Sequence, residues 1–309
     1  MRVAVAGGAG FVGSHLCDAL LARGDEVVVL DDLCTGDEAN LRAASDSPRF
    51  SFVHCDVSAP LPEVGALGAV MHLASPASPP AYLALPLETL AVGSEGTRRL
   101  LELAEANSAR FVLASTSEVY GDPEVHPQPE GYWGRVNPIG PRSVYDESKR
   151  FAEALTMAHR RARSADVGIA RIFNTYGPRL APGDGRVVSN FVCQALRGEP
   201  LTVYGDGHQT RSFCYVADMV RGLLALLDRD VSGPVNLGNP YELTMLELAQ
   251  RVLEATGSDS VIEHRALPVD DPTRRRPDIS LAADVLDWRP EVDFDEGLGA
   301  TIDYFSHSR

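Results

Sequence analysis

The stretch Arg2-Val3-Ala4-Val5-Ala6-Gly7-Gly8-Ala9-Gly10-Phe11-Val12-Gly13-Ser14 decides the fold of this chain. Its apolar run, Arg2 to Ala6, is typical of a buried parallel strand. Four glycines within seven residues follow this run directly. Residues 14–23 then have helical spacing, and Gly24 ends the predicted helix. The stretch therefore predicts a strand, a tight glycine-rich loop and a helix.

A glycine-rich loop in this position is a dinucleotide-binding fingerprint when an acid closes the next strand. Here the next apolar run, Glu26 to Leu30, ends at Asp31. Glycines let the backbone approach a pyrophosphate, which rests on the amides at the helix N-terminus. Asp31 would accept hydrogen bonds from the adenine ribose and repel a 2′-phosphate, which favours NAD over NADP. A tight turn without a ligand is the alternative, but it does not explain the spacing of the acid.

Three more apolar runs predict further strands of the same sheet, at residues 50–55, 69–73 and 110–115. A long helix is predicted at residues 87–107. The pattern favours an α/β protein, with a doubly wound parallel-sheet Rossmann domain and a smaller mixed α/β domain. We expect the NAD-binding domain at residues 1–175 and about 211–235, and the substrate-binding domain at residues 176–210 and 236–309.

Composition narrows the class of partner. The net charge of −15 argues against a nucleic acid or an anionic membrane surface. The five cysteines are scattered without metal-ligand spacing, so we interpret them as buried thiols of a reducing compartment and expect no metal. The apolar start, Val3 to Val12, is interrupted by glycines and too short for a signal peptide or a membrane span. We therefore expect a cytoplasmic protein.

Tyr145 and Lys149 are four residues apart, so a helix would place both on one face. Lys149 is the only lysine among 28 basic residues, and an ammonium is a compact point donor where guanidinium is a planar fork. We expect Ser143 to cap this helix. Chance spacing is the alternative explanation of the pair.

Thr116-Ser117-Glu118 follows another predicted strand and places three polar groups at the carboxyl edge of the sheet. Enzymes of the α/β class hold their reacting groups at this edge. Hydroxyl capping of the strand end is the alternative, and it explains Glu118 poorly.

Two of these motifs together, Gly7-x-x-Gly10-x-x-Gly13 and Tyr145-x-x-x-Lys149, resemble the extended short-chain dehydrogenase/reductase superfamily. Longer blocks over nearly the whole chain are similar to the UDP-glucuronate decarboxylases, also called UDP-xylose synthases. These blocks lie at residues 72–80, 114–123, 137–142, 170–179, 184–191 and 204–213. The resemblance implies UDP-glucuronate as substrate and a tightly bound NAD+ that is recycled in each turnover. We also expect a homodimer that pairs the helices at Leu87–Asn107 and Ser143–Arg163.

The resemblance further implies a reaction at C4 of the sugar. Tyr145 takes the hydroxyl proton while a hydride leaves for NAD+, Lys149 supplies positive charge, and Thr116 shares the hydrogen bond to the C4 oxygen. The ketone so formed is β to the C6 carboxylate, so carbon dioxide is lost readily. Glu118, with Ser117, manages protons at C5 before the hydride returns. Related 4,6-dehydratases use an Asp-Glu pair after the threonine, so Ser117 favours decarboxylation over dehydration.

The remaining site residues also come from the resemblance and from the strand ends. Those expected to bind the cofactor are Gly7, Gly10, Phe11, Val12, Gly13, Asp31, Asp32, Asp56, Val57, Leu73, Ser75, Ala114, Tyr145 and Lys149. Those expected to bind the substrate are Tyr82, Asn174, Arg186, Val188, Tyr204, Gln209, Arg211 and Arg275. Arg275 matches the family's active-site arginine, whereas a solvated turn suffices for Arg274 and Arg276. We expect residues 268–277 to form a loop over the substrate.

Two other functions fit the same motifs. The nearer one is a UDP-glucuronate 4-epimerase or another nucleotide-sugar enzyme with a 4-keto intermediate. The more distant one is a catalytically silent NAD-binding regulator. Ala6, Asp32, Val144 and Ser148 depart from the family pattern, and none of them removes a group that the reaction needs. The sequence leaves the choice between uracil and thymine open.

Overall fold

A parallel β-sheet forms the centre of the computed structural model, which describes residues 1–266 and 274–307. The strands are β1 (Arg2–Ala6), β2 (Glu26–Asp31), β3 (Phe50–His54), β4 (Ala69–His72), β5 (Arg110–Thr116), β6 (Val167–Ile172), β7 (Thr175–Tyr176), β8 (Leu201–Tyr204), β9 (Thr210–Ser212), β10 (Cys214–Tyr215), β11 (Pro234–Leu237), β12 (Glu242–Thr244), β13 (Ile262–Arg265) and β14 (Arg274–Arg275). The helices are α1 (Phe11–Arg23), α2 (Arg42–Ser45), α3 (Pro79–Ala84), α4 (Pro86–Ala91), α5 (Thr97–Ala106), α6 (Ser143–Arg163), α7 (Val187–Arg197), α8 (Val216–Asp228), α9 (Met245–Thr256), α10 (Ser280–Leu286) and α11 (Phe294–His307).

The main sheet runs in the order β11-β6-β5-β4-β1-β2-β3, and its neighbouring strands pair in parallel. Helices α1 and α8 contribute apolar residues to the core on one face of the sheet, and α5 and α6 contribute to the core on the other face. This arrangement confirms the predicted doubly wound α/β fold. The register aligns Ala6 with His72 and His72 with Leu113, so the residues after β1, β4 and β5 meet along one edge.

A second core lies beside that edge. Its apolar side chains come mainly from β8, α7, α9 and α11, for example Leu201, Phe191, Leu248 and Leu298. Around it, β8 pairs with β13, and β9 pairs with β12 and β14. Ala282, Leu286 and Trp288 belong instead to the core of the main sheet, because α10 packs on α8 and β11. The last third of the chain therefore contributes to both cores.

Several element boundaries differ from the prediction. Helix α1 begins at Phe11 instead of at residue 14, so Gly13, the last glycine of the motif, lies in its first turn. Ser143 does not cap α6: Arg142 occupies the N-cap position, and no side-chain capping bond is formed there by any described residue. The long helix at residues 87–107 contains a π-helical turn, Val92–Gly96, between α4 and α5.

Two further expectations change with the structure. Arg274 and Arg275 form β14 instead of a loop, while residues 267–273 of the expected 268–277 loop lie outside the described residues. The five cysteines are free, but only Cys17, Cys193 and Cys214 are buried; Cys34 is exposed and Cys55 is half-buried. Within residues 1–266 and 274–307, no helix is long and apolar enough to cross a bilayer.

The glycine loop packs so closely that alanine substitution at Gly13 should affect stability differently from alanine substitution at another helical glycine, Gly299. In Gly13→Ala the new methyl group would overlap the Gly7 carbonyl oxygen, which belongs to backbone and cannot rotate away. We expect the free energy of unfolding to fall by about 1–3 kcal/mol. Gly299→Ala in α11 is the control: no described heavy atom lies within 4 Å of its added methyl, so stability should rise by up to about 1 kcal/mol. Urea denaturation compares the two, and equal effects would contradict the packing argument.

Candidate active site

A cavity of about 310 Å³ runs along the carboxyl edge of the main sheet. The glycine loop lines it, with Gly7, Gly10 and the first turn of α1. Gly7 has φ +79°, and no described side chain caps α1 at Gly10. The first amides of α1 are therefore available to an anion, as a dinucleotide pyrophosphate requires.

A second, adjoining cavity shares Gly7, Gly10, Leu73 and Ser75 with the first. It is also lined by four residues expected at the adenosine end: Asp31, Asp32, Asp56 and Val57. The two cavities together provide a continuous channel from the end of β2 to the end of β5. The residues present therefore fit NAD.

Asp31 organises this end of the channel. Its carboxylate accepts hydrogen bonds from the amides of Ala9 and Leu33, both at 2.9 Å. Burial raises the pKa of Asp31, although these two amides oppose the change. Asp32 and Asp56 each accept from a backbone amide two residues further on, so they stabilise turns around the cavity.

Tyr145 and Lys149 lie on the face of α6 that meets the end of β5. Both side chains are buried, and the Lys149 ammonium donates to the carbonyl of Ala114 at 2.9 Å. The Lys149 Nζ is 5.9 Å from the centre of the Tyr145 ring. The predicted pairing on one helix face is therefore present, but the ammonium is hydrogen-bonded to the sheet.

Burial has opposite effects on these two groups, because it disfavours the charged form of each. It raises the pKa of Tyr145 to about 12, against a hydrogen bond with Thr116 and the positive charge of Arg186. It lowers the pKa of Lys149 to about 8, against the attraction of Glu153. Thr116 and Arg186 are thus the groups that favour the phenolate of Tyr145 in this structure. The sequence had led us to expect this role for Lys149.

Glu118 lies between two arginines. Its Oε2 is 2.5 Å from Nη2 of Arg142 and 3.2 Å from Nη2 of Arg275. Burial alone would raise the pKa of Glu118, but the charges of Arg275 and Arg142 outweigh burial and leave it below the ordinary value. Glu118 is therefore a carboxylate. Arg275 is only 1% exposed, and it also donates to the carbonyl of Ser117.

Of the three consecutive arginines, only Arg275 is buried, as expected for the one assigned to the active site. Arg274 is exposed, and Arg276 pairs at the surface with Glu242 at 3.5 Å. Arg275 reaches the active site because β14 pairs with β9, where it lies opposite Arg211. Gln128 fixes the following residue: its side-chain oxygen accepts from the amide of Arg276 at 2.9 Å.

Three charged residues close to the site were missed by sequence reasoning: Arg142, Asp146 and Glu153. Arg142 holds Glu118, and Asp146 is buried in the first turn of α6. Glu153, one turn after Lys149, accepts from Ser115 at 2.6 Å and pairs with Arg171 at 2.7 Å. Helical spacing from Tyr145 and Lys149 identifies Glu153, but no sequence pattern indicates that Asp146 is buried.

The residues expected to contact substrate are distributed unevenly. Asn174 and Arg186 line the main cavity, and Arg186 pairs with Asp184 at 3.1 Å. Tyr82 is buried and does not line the cavity, but it stacks on Tyr145 with ring centres 5.3 Å apart. Val188 is a buried member of the second core.

Tyr204, Gln209 and Arg211 lie in or beside β8 and β9 and are not among the residues that line the main cavity. The side chain of Gln209 donates to the carbonyl of Tyr204 at 2.7 Å. Arg211 donates to the carbonyl of Thr210, and its positive charge also contributes to the environment of Glu118.

Comparison with known proteins gives consistent matches. A model of the NAD dependent epimerase/dehydratase family matches residues 3–238. UDP-glucuronic acid decarboxylase 1 of Arabidopsis thaliana is 53% identical over 305 residues, which cover 99% of this chain and 70% of that protein. UDP-glucuronic acid decarboxylase 1 of Danio rerio is 52% identical over 305 residues, covering 99% and 72%.

Among solved structures, the chain is similar to UDP-glucuronic acid 4-epimerase from Bacillus cereus in complex with UDP-glucuronic acid and NAD. The TM-score is 0.89 at 27% identity, and the match covers 100% of both chains. The fold is thus shared with a solved 4-epimerase, whereas the sequence is much closer to the decarboxylases.

Proposed function

The chain belongs to the NAD dependent epimerase/dehydratase family, and we propose that it converts UDP-glucuronate into UDP-xylose and carbon dioxide. The observation that carries this function is Glu118, which follows Ser117 in the chain and is held as a carboxylate by Arg142 and Arg275. The identity of 53% with a UDP-glucuronic acid decarboxylase over 99% of the chain supports it.

NAD is the cofactor, and when bound it supplies the oxidation at C4 and the reduction that restores the alcohol. The amides at the start of α1 would hold its pyrophosphate. Asp31 and Val57 would hold the adenosine, and Tyr145 with Lys149 the nicotinamide ribose. The adjoining cavities described above connect these residues.

Tyr145 moves the proton of the C4 hydroxyl. Its hydrogen bond with Thr116 and the charge of Arg186 favour the phenolate and oppose burial. Thr116 also accepts from the amide of Glu118 at 3.2 Å, so the hydroxyl that serves Tyr145 is fixed to the turn at the end of β5. The hydroxyl groups of Tyr145 and Thr116 can both donate to the C4 oxygen when negative charge develops on it.

Loss of carbon dioxide follows from the position of the ketone. The C5–C6 bond breaks, and its electron pair is delocalised into the C4 carbonyl as an enolate. This step needs no acid for a leaving hydroxyl. Glu118 is anionic and Ser117 is neutral, so the pair is poorly suited to protonate a leaving group, as a dehydratase must.

Product analysis with UDP-glucuronate and no added NAD tests the function. We expect release of carbon dioxide and formation of UDP-xylose, measured by mass spectrometry and NMR of the nucleotide sugar. Turnover without added NAD would also show that the cofactor stays bound between cycles. UDP-galacturonate, with all carbon retained, would instead identify a 4-epimerase, and absence of turnover on any nucleotide sugar would favour a regulator.

Lys149→Arg is expected to lower kcat at least about 100-fold, because the longer planar guanidinium cannot replace a buried ammonium at the Ala114 carbonyl. Arg163→Lys is the control, a reciprocal change at an exposed position on the same helix, and its kcat should stay within about twofold of wild type. Initial rates of UDP-xylose formation compare the variants. Near-normal turnover of Lys149→Arg would remove Lys149 from the proposed chemistry.

The proposal includes a homodimer that pairs α4–α5 and α6 with their copies. Leu87 is 76% exposed and Phe151 is 50% exposed on these helices, so each chain offers an apolar surface there. Phe151→Glu should therefore shift the protein from dimer to monomer in size-exclusion chromatography with light scattering. Val261→Glu is the control, because Val261 is 66% exposed on a different element. A monomeric wild type, or a dimer that tolerates Phe151→Glu, would contradict this arrangement.

A further inference from the structure

The reaction proposed above consumes one proton, and this inference rests on that function. UDP-glucuronate and a proton give UDP-xylose and carbon dioxide, because C5 exchanges its carboxylate for hydrogen. The proton that Tyr145 takes from the C4 hydroxyl returns to the same oxygen, so it cannot supply C5. Glu118 is a carboxylate between two guanidiniums and holds no proton of its own near neutral pH. The proton that C5 receives must therefore come from a source other than Tyr145 and Glu118.

Asp146 has the properties of such a source. It is 5% exposed, in the first turn of α6, directly after Tyr145 and four residues after Arg142. Its Oδ1 is buried and has no hydrogen-bond partner among the described residues. A buried carboxylate oxygen without a donor is costly, whereas a protonated carboxyl group avoids most of that cost.

The surroundings of Asp146 also favour the protonated form. Burial and then the negative charge of Glu118 raise the pKa of Asp146 to about 7, against the charges of Arg142 and Arg275. Two carboxylates in one site repel each other, so the ionised state of Glu118 favours the protonated form of Asp146. The arginine contacts select Glu118 as the ionised member. The charged and titratable groups that act on Asp146 are Glu118, Arg142, Arg275, Glu147, Tyr82 and Tyr145.

We propose that Asp146 stores the proton that C5 receives and passes it through Glu118. The C5–C6 bond breaks, carbon dioxide leaves, and the electron pair stays on the sugar as the enolate. Asp146 transfers its proton to the Glu118 carboxylate, and the enolate carbon C5 then takes that proton from Glu118, which leaves both Glu118 and Asp146 as carboxylates. Solvent returns a proton to Asp146 before the next turnover. Asp146 acts through Glu118 and is a positioning residue in this scheme.

Asp146 could also act as a permanent carboxylate that only positions Arg142 and Arg275, and the two roles predict different pH profiles. As a proton store, Asp146 must be protonated to act, so kcat should be full below about pH 7 and fall about tenfold per pH unit above it. A permanent anion would instead lose its effect as the pH falls, and it would affect every chemical step alike.

Asp146→Asn preserves the shape of the side chain and removes the acidic proton. We expect kcat to fall about 100-fold with KM nearly unchanged, and the decline of kcat above neutral pH to disappear. In a single turnover, carbon dioxide release should precede UDP-xylose formation, and the absorbance of reduced nicotinamide should accumulate between the two. Asp228→Asn is the matched control: it makes the same chemical change at an exposed aspartate, which pairs with Arg23 at 2.8 Å on the surface, and kcat should stay within about twofold.

Three results would overturn the proposal while the wild-type protein still releases carbon dioxide. These are an Asp146→Asn variant with normal kcat, a variant whose carbon dioxide release and UDP-xylose formation slow equally, and a wild-type profile without a decline above neutral pH. If Asp146→Asn does not fold, Asp146→Glu replaces it: the retained acid should keep the decline, and its loss would count against the store. A wild-type protein that releases no carbon dioxide would refute the proposed function instead.

Discussion

A buried guanidinium joins the two parts of this protein at the point where its chemistry takes place. Arg275 comes from the last third of the chain, yet it contacts Ser117 and Glu118 at the end of the central strand β5. A buried charge must be paired, and removal of one partner from a buried pair costs about 3–5 kcal/mol. The second core, β14 and the turn after β5 are therefore mutually dependent. Any change that displaces β14 leaves Arg275 without its carboxylate and leaves Glu118 with only Arg142.

This constraint also sets the protonation states of the site. Because the arginines keep Glu118 ionised, it can receive a proton and pass it on but cannot store one. Burial raises the pKa of Tyr145, which keeps the phenol protonated, and lowers the pKa of Lys149, which makes the ammonium easier to deprotonate. Each group therefore needs a neighbour to reach its active form. Thr116, Arg186 and Glu153 are those neighbours. The protonation states of Glu118, Tyr145 and Lys149 thus depend on neighbouring charges. We expect an anionic substrate and a dinucleotide to change these protonation states when they bind.

Patterns of short range were predictable from the sequence. Apolar runs identified the strands of the main sheet, and the glycine spacing identified the dinucleotide channel, because both depend on neighbouring residues. The family resemblance selected Arg275 out of three arginines, which composition alone could not do. Arg142 and Asp146 were missed because their positions in the site depend on residues distant in sequence: Arg142 pairs with Glu118, and Asp146 is buried. Ser143 was expected as a cap on residue type alone, but the helix begins one residue earlier than a cap at Ser143 would require.

In the proposed reaction, C4 is oxidised and restored in the active site while C5 exchanges its carboxylate for a solvent proton. Turnover of UDP-glucuronate in deuterium oxide, with NMR of the UDP-xylose formed, tests it most directly. The account predicts one deuterium at C5 in each product molecule and protium at C4, because the hydride returns from the bound cofactor without exchange with water. Deuterium at C4, or UDP-xylose with only protium at C5, would contradict it.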